Sequence, residues 1–292
     1  MIINRLSDRV RILTFDDGIS LVIFFGPHHT FLCDTHLGPE SMKEVIPYLN
    51  QDPAFCDLVI FNSHSDWDHI WGNCAFLDSI IIGHVTCRER MQERGAFDLN
   101  RQSSLTRGHV TLIPPGLTFK EEICFEDDDI EFIYAPGHTI DSSICYDRKE
   151  RILYVGDLVE GPIPYLDYDR LDIYLETLEM LLIFPADIMI SAHSGIVTKD
   201  LIIRNMEYIR EVIKGNKIDT RTFGQYEAVH RINLNTLLML RYEKLAKKML
   251  KNAYDFSSFW SVPSNLDNIS LDELEELMKN YLKNPGSKHL GI

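Results

Sequence analysis

The chain has 292 residues, 45% of them hydrophobic, and can bury a large core in one domain or slightly more. Its 29 basic and 44 acidic residues give a net charge of −15, which disfavours binding to nucleic-acid phosphates. No apolar run reaches the ~18 residues that cross a bilayer, and no secretory signal follows Met1, so we expect a cytoplasmic protein that binds neither nucleic acid nor membrane.

Short strands and helices alternate through the first two thirds of the chain. The predicted strands are 10–13, 20–25, 30–33, 58–61, 79–83, 130–134, 152–155 and 187–191. The predicted helices are 41–49, 86–94 and 171–184. Asp17-Gly18 between the first two strands is a hairpin signal. Strands mixed with helices in this way predict an α/β fold with stacked layers.

From about Lys199 onward the apolar residues follow helical spacing. The predicted helices are 200–214, 227–252 and 270–283, and Ser270 with Glu273 forms a capping box at the start of the last one. We predict one domain at residues 1–215 and a helical extension at residues 216–292. The extension is expected to lie over the functional site, to pair two subunits of a homodimer, or simply to pack on the core.

Two imidazoles and two carboxylates occupy six residues directly after the apolar run 58–61. They are His64, Asp66, Asp68 and His69. Imidazole nitrogens and carboxylate oxygens both suit zinc, iron or manganese. An ordinary solvent-exposed loop rarely contains four metal-binding side chains within six residues, so the segment predicts a metal site. Trp67 and Trp71 flank these residues, and a tryptophan in such a loop usually packs into the core.

Three further predicted strands each lead to a residue that can bind a metal. They are His138 after 130–134, Asp157 after 152–155 and His193 after 187–191. A single histidine after a strand is more often a core or surface residue, but four strands that end in this way rarely arise by chance. Gly137 is expected to let the backbone at His138 come close to a bound ion.

These residues, in this order, resemble the metallo-beta-lactamase superfamily. The order is His-x-Asp-x-Asp-His, Pro-Gly-His-Thr, Gly-Asp and a strand-borne histidine, and it spans roughly residues 10–198. The resemblance implies a four-layer αββα fold, to which this chain adds its C-terminal helical extension. It implies one divalent metal ion at His64, Asp66, His138 and Asp157, and a second at Asp68, His69, Asp157 and His193. Asp34 would orient a ligand without touching a metal.

Asp66 stands where most members of this superfamily have a histidine. The flavodiiron oxygen and nitric-oxide reductases of the superfamily carry a glutamate there and bind two irons. The short interval between Asp157 and His193 instead resembles hydrolases of the glyoxalase II and lactonase type. An acidic ligand adds negative charge, so iron and manganese become alternatives to zinc, the metal we expect first.

The resemblance therefore implies a dinuclear metal-dependent hydrolase. The expected substrate is a small ester, thioester, lactone or phosphoester, attacked by a metal-bound hydroxide. Asp68 is the predicted catalytic residue, because it could orient the nucleophile or manage its proton as well as bind metal. The alternative is a non-haem diiron redox protein that resembles the flavodiiron core, although no flavin-binding stretch is visible in the sequence.

Overall fold

The protein folds around two β-sheets, and the computed structural model describes residues 1–283. The first sheet contains β1 (Ile2–Arg5), β2 (Val10–Thr14), β3 (Ser20–Phe25), β4 (His29–Cys33), β5 (Asp57–Asn62), β6 (Ile80–His84) and β7 (Leu117–Phe119), in that order. The second contains β8 (Glu122–Phe125), β9 (Ile130–Tyr134), β10 (Ser143–Asp147), β11 (Ile152–Tyr154), β12 (Ile188–Ser191) and β13 (Gly195–Val197), with β8 and β13 at its edges.

The helices flank these sheets and continue beyond them. They are α1 (Pro39–Gln51), α2 (Trp67–Ile70), α3 (Val85–Arg101), α4 (Leu171–Ile183), α5 (Lys199–Lys214), α6 (Glu227–Leu250), α7 (Phe256–Trp260) and α8 (Leu271–Lys283). Residues 284–292 of the predicted extension lie outside the described residues. Across residues 1–283, none of the helices combines the length and the apolar character needed to cross a membrane.

Alternation of side chains along the strands produces the layers. In β3, Val22 and Phe24 face the second sheet and are buried with residues such as Phe132. Leu21 and Ile23 face the opposite way, into a cluster that includes the apolar side of α1. The outer face of the second sheet packs on α4 and α5. The predicted four-layer αββα fold is confirmed.

The helices after α5 form a small core of their own. Its buried members are Met239, Leu240, Tyr242, Ala246, Phe256, Phe259, Trp260, Leu266, Leu274, Met278 and Tyr281. Phe97 of α3 packs against this cluster, whereas Val229 of α6 is buried in the cluster around α4 and α5. The first turns of α6 therefore dock on the αββα core, and the rest of α6 supports the extension. The predicted capping box is present, because Ser270 N donates to Glu273 Oε2 at 3.2 Å and Glu273 N donates to Ser270 Oγ at 3.3 Å.

Candidate active site

The predicted metal ligands follow the ends of adjacent strands. β4 pairs in parallel with β5, and β11 pairs in parallel with β12. Because parallel strands end at the same edge of a sheet, the loops after them meet. Asp34 and His64 follow β4 and β5, and Asp157 and His193 follow β11 and β12. The hydrogen-bonded sheets thus fix the starting point of each loop that carries a predicted ligand.

Asp157 lies at the centre of the site. Its Oδ2 atom is 3.2 Å from Nε2 of His69 and 3.2 Å from Nε2 of His193. The same oxygen is 3.8 Å from Nε2 of His64 and 3.9 Å from Nε2 of His138. One carboxylate with two imidazoles on either side has the placement that a ligand shared by two cations requires.

The two aspartates of the six-residue motif complete the two groups. Asp66 Oδ2 is 3.2 Å from His138 Nε2 and 3.6 Å from His64 Nε2. Asp68 Oδ2 is 3.1 Å from His193 Nε2, on the other side of Asp157. The structure brings together all seven predicted ligands, namely His64, Asp66, Asp68, His69, His138, Asp157 and His193.

Three of the imidazoles are oriented by a hydrogen bond at Nδ1. His69 Nδ1 lies 2.8 Å from Asp34 Oδ2, and His138 Nδ1 lies 3.2 Å from the carbonyl oxygen of Tyr165. His64 Nδ1 lies 3.0 Å from Ser63 Oγ. When Nδ1 carries the proton of such a bond, Nε2 presents a lone pair, which is how metal-binding histidines are commonly held.

Two buried polar atoms of the site have no hydrogen-bond partner among the described residues. They are His64 Nε2 and Asp157 Oδ1. An unsatisfied buried polar group costs about 1–3 kcal/mol, and a cation at this place would offset that cost. The residues present therefore fit a divalent metal site.

Asp34 lies behind the site as the hub of a hydrogen-bond network. It is fully buried and accepts hydrogen bonds from Ser63 N at 2.8 Å, Ser63 Oγ at 2.7 Å and Tyr154 OH at 2.6 Å, in addition to the contact with His69. It lies next to His69, and it reaches His64 only through Ser63. This is the position that the predicted orienting role requires.

The site keeps its carboxylates ionised. Burial raises the pKa of Asp66, but the imidazoles of His64 and His138 outweigh burial and hold that pKa well below 3.8. The pKa of Asp157 is lowered in the same way, against burial, by His193 and His69. These oxygens are thus stabilised by the positive charge of protonated imidazoles, which a bound metal ion would supply in their place.

A buried arginine accompanies the unusual aspartate. Arg90 Nη2 lies 3.8 Å from Asp66 Oδ1 and 2.9 Å from Asp167 Oδ2, and Arg90 Nε lies 2.9 Å from Asp141 Oδ1. Asp141 is fully buried, and its charge together with those of Asp167 and Asp66 outweighs burial and raises the pKa of Arg90. Sequence reasoning missed Arg90, because α3 carries it far from the motif and no local spacing marks it.

A cavity of about 570 Å³ opens over the site. Asp66, Asp68 and His193 line its floor, and Tyr226 and Asp267 of the helical extension line its wall. The extension therefore lies over the functional site and also packs on the core, which are two of the three roles expected for it. A homodimer through these helices stays a prediction.

The structure bears on two expectations about single residues. A Cβ atom at Gly137 would lie 2.5 Å from the ring of Tyr174, so close packing requires a glycine there, and the approach of its backbone to an ion stays a prediction. Trp71 is 1% exposed and packs in the core, as expected. Trp67 packs against the same cluster and also lines the cavity.

Glu160 is a further cavity residue that sequence reasoning did not select. It is 5% exposed and follows the Gly-Asp motif by three positions. Burial, and then the charge of Asp157, raise its pKa to about 7. An acidic residue soon after Asp157 was visible in the sequence, but only the fold shows that it faces the cavity.

Residues 15–193 match the family model of the metallo-beta-lactamase superfamily. The chain belongs to this superfamily. Metallo-beta-lactamase superfamily members are mostly metal-dependent hydrolases that bind divalent metals, and the site described above holds candidate ligands for such metals.

Solved metallo-beta-lactamases share the fold. The enzyme from Pontibacter korlensis is 18% identical, with a TM-score of 0.55 over 72% of this chain and 98% of that protein. The enzyme from Erythrobacter litoralis is 16% identical, with a TM-score of 0.57 over 72% of this chain and 96% of that protein. At these identities the likeness concerns the fold alone.

Two curated proteins are similar in sequence. The cytoplasmic isozyme of hydroxyacylglutathione hydrolase from Saccharomyces cerevisiae is 30% identical over 126 residues, which are 41% of this chain and 41% of that protein. A protein of Aspergillus versicolor that carries a transcription-factor name, avaE, is 26% identical over 209 residues, which are 63% of this chain and 60% of that protein. The chain therefore spans less than two thirds of either relative.

Proposed function

We propose that this protein is a dinuclear metal-dependent hydrolase of a small ester, thioester, lactone or phosphoester. The observation that carries the proposal is the position of Asp157 Oδ2, within 3.9 Å of Nε2 of four histidines. Membership of a superfamily made up mostly of metallohydrolases supports it. The partial similarity to hydroxyacylglutathione hydrolase supports the same reaction class, and its 41% coverage leaves the substrate open.

We assign the ligands as two groups that share Asp157. One group is His64, Asp66, His138 and Asp157, and the other is Asp68, His69, Asp157 and His193. Two divalent cations held there would lower the pKa of a water between them and polarise the substrate's carbonyl or phosphoryl oxygen. We expect zinc first, with iron or manganese competing because of the extra carboxylate at Asp66.

Asp68 is the residue to which we assign a catalytic role. Its carboxylate lines the cavity and lies 3.1 Å from His193 Nε2. From there it can hold the proton of the attacking water while His193 keeps the carboxylate oriented.

Metal analysis and turnover together test this function. Protein purified without chelator is expected to contain up to two equivalents of transition metal. Reconstituted protein is expected to hydrolyse members of an ester, thioester, lactone and phosphoester panel. Asp157→Asn should lose both metals and reduce kcat/KM by roughly 10³-fold or more, about 4 kcal/mol of transition-state stabilisation. The matched control is Asp127→Asn, at an exposed aspartate of a surface turn, which should change neither quantity.

Asp66 also favours a second candidate, the non-haem diiron redox protein. Its carboxylate lies near His64 and His138, where a hard ligand suits iron. One experiment distinguishes the two functions, an assay of iron-loaded protein with an added chemical reductant. Consumption of oxygen or nitric oxide, with no hydrolysis across the panel, would replace the hydrolase proposal by this one.

We further propose that the partner is a small molecule and that the protein acts in the cytoplasm without binding nucleic acid or membrane. The net charge of −15 supports the exclusion of nucleic acid. A mobility-shift assay at physiological salt should show no shift of RNA or DNA. A shift that survives competing polyanion would contradict the proposal.

A further inference from the structure

Away from the assigned ligands, the cavity over the site is acidic. Four carboxylates line this outer part, Asp17, Glu160, Asp167 and Asp267, and across residues 1–283 no lysine or arginine lines it. Three of the four have an arginine beside them. Arg107 Nη2 lies 2.8 Å from Asp17 Oδ2, Arg90 Nη2 lies 2.9 Å from Asp167 Oδ2, and Arg101 Nη2 lies 4.0 Å from Asp267 Oδ1. Glu160 is left without a cation beside it.

Glu160 is buried and has no cationic partner. It is 5% exposed, faces the cavity, and forms no ion pair with any of the described residues. Its side chain accepts a single long hydrogen bond there, from Tyr165 N at 3.5 Å. An ionised, buried carboxylate without a cation beside it is costly. A positive charge that enters with the ligand would offset this cost and stabilise the ionised form of Glu160.

Two tyrosines and a second carboxylate line the cavity together with Glu160. Tyr165 is a neighbour of Glu160, since its backbone N–H lies 3.5 Å from Glu160 Oε1. Tyr226 and Asp267 of the helical extension line the same cavity. Two carboxylates and two aromatic rings are therefore exposed to one ligand-sized space.

We propose that Glu160, Tyr165, Tyr226 and Asp267, which we name the cation subsite, bind an ammonium group of the substrate. Carboxylates attract any cation, but aromatic rings beside them favour an organic ammonium group over a strongly hydrated metal ion. Substrates with free carboxylates or phosphates would meet like charges at this wall. The identity of the substrate as an ester or thioester rests on the proposed function.

The subsite adjoins the assigned metal ligands. The carbonyl oxygen of Tyr165 lies 3.2 Å from His138 Nδ1, and Asp68 and His193 line the same cavity as Glu160. The ammonium group would therefore lie close to the scissile carbonyl, as it does in a choline ester. This part of the cavity wall would then select the substrate by its charge.

Binding tests the subsite without turnover. Calorimetric titration of the metal-loaded protein compares choline with 3,3-dimethylbutan-1-ol, which has the same shape and no charge. We expect choline to bind about tenfold more tightly, since a desolvated cation beside aromatic rings gains up to about 2 kcal/mol. Equal affinities for the two compounds would overturn the inference.

Glu160→Gln keeps the shape of the side chain and removes its charge. It should reduce choline binding about tenfold and leave the affinity for 3,3-dimethylbutan-1-ol and the metal content unchanged. Glu122→Gln is the matched control, at an exposed glutamate of the edge strand β8, and should behave as wild type. If Glu160→Gln does not fold, Asp267→Asn, at a largely exposed side chain, should still weaken choline selectively. Unchanged choline binding in the folded variant contradicts the subsite.

Turnover of acetylcholine and 3,3-dimethylbutyl acetate separates this inference from the proposed function. A kcat/KM about tenfold higher for the charged ester supports both the subsite and the hydrolase, provided that Glu160→Gln abolishes the difference. Equal hydrolysis of the two esters without choline preference supports the hydrolase and overturns the subsite. Selective choline binding, with no hydrolysis of any compound in the panel by metal-loaded protein, supports the subsite and overturns the hydrolase.

Discussion

The αββα core and the helical extension contribute different things to one cavity. The core supplies all seven assigned ligands, five of them from loops that follow strands and two, Asp68 and His69, from the short helix α2. The extension supplies wall residues such as Tyr226 and Asp267, and none of the assigned ligands. Reactive groups need fixed distances, which a sheet edge provides, whereas the wall decides which molecule fits. Changes in the core should therefore alter metal binding and kcat, and changes in the extension should alter KM.

The two regions are joined at Asn233 of α6. Its Oδ1 accepts a hydrogen bond from Leu166 N at 3.0 Å, and its Nδ2 donates to the carbonyl oxygen of Pro164 at 2.9 Å. These two residues flank Tyr165, whose carbonyl oxygen lies 3.2 Å from His138 Nδ1. One buried amide of the extension thus holds the loop that orients an assigned ligand of the core.

Among the residues that support the site without being assigned as ligands, the largest effect is expected at Asp34, in the core. Asp34→Asn keeps the shape but cannot accept hydrogen bonds at both side-chain atoms, so His69 should lose its fixed orientation. We expect metal affinity to fall about 10–100-fold, measured by competition with a chromogenic chelator. Asp128→Asn is the control, because Asp128 is 1% exposed and accepts hydrogen bonds from His28 N and His29 N away from the site. That control should lose stability and keep its metal affinity. Equal losses of metal affinity in both variants would show that Asp34 has no specific role in orienting His69.

The next largest effect is expected at Asn233, where the two regions are joined. Asn233→Ala leaves buried backbone groups of the 164–166 loop unpaired, which should cost about 2 kcal/mol of stability. It should also raise KM about tenfold and weaken metal binding at the His138 group, a coupling that a purely separate extension would not show. Asn235→Ala is the matched control, since Asn235 Nδ2 bonds only Leu266 and Ile269 within the extension. If both variants bind metal with the same affinity, Asn233 does not influence the metal site.

A more moderate effect is expected for Asp66→His. The change lowers the ligand charge from three carboxylates to two, so the site becomes more positive and the pKa of a bound water should fall. We expect a shift of the pH–rate profile to lower pH and a preference for zinc over manganese or iron. Arg90, 3.8 Å from Asp66, already offsets part of this charge, so the shift should stay below about one pH unit. Identical profiles and metal preferences in wild type and variant would show that Asp66 is not a ligand.

The smallest effect concerns Asp98, at the boundary between α3 and the extension. It lines a cavity of about 160 Å³ together with Phe256 and Trp260, and burial, followed by the charge of Asp66, raises its pKa to about 7. Because this folded-state pKa exceeds the ordinary 3.8, the folded state holds the proton more tightly and stability falls as pH rises from about 4 to about 7. Asp98→Asn should therefore stabilise the protein by about 1–3 kcal/mol at pH 8 and hardly at all at pH 4. Thermal unfolding at both pH values measures this, and an equal gain at both would contradict it.

Much of the core could be predicted because local patterns specify it. The strand 20–25 alternates between two buried faces, and its bounds were predicted correctly at Ser20–Phe25. The strands β1, β7, β10 and β13 are among those that were missed. β1 is exposed, β7 and β13 have only three residues each, and β10 is buried at all five positions although it includes Ser143 and Asp147. The predicted helix 86–94 is too short, because α3 continues to Arg101. Its last turns are held by packing of Phe97 against the extension rather than by local spacing.

By itself, the sequence determined an α/β arrangement and the set of candidate ligands, because strands and the six-residue motif are local features, and the family resemblance then implied the four layers. Tertiary structure alone decided that Arg90 lies beside Asp66, that Glu160 faces the cavity unpaired, and that Tyr226 and Asp267 form its wall. These residues come from elements far apart in the chain. Their relative positions depend on how α3 and α6 pack against the rest of the protein. That packing follows from side-chain volumes and buried charges, which no short sequence pattern encodes.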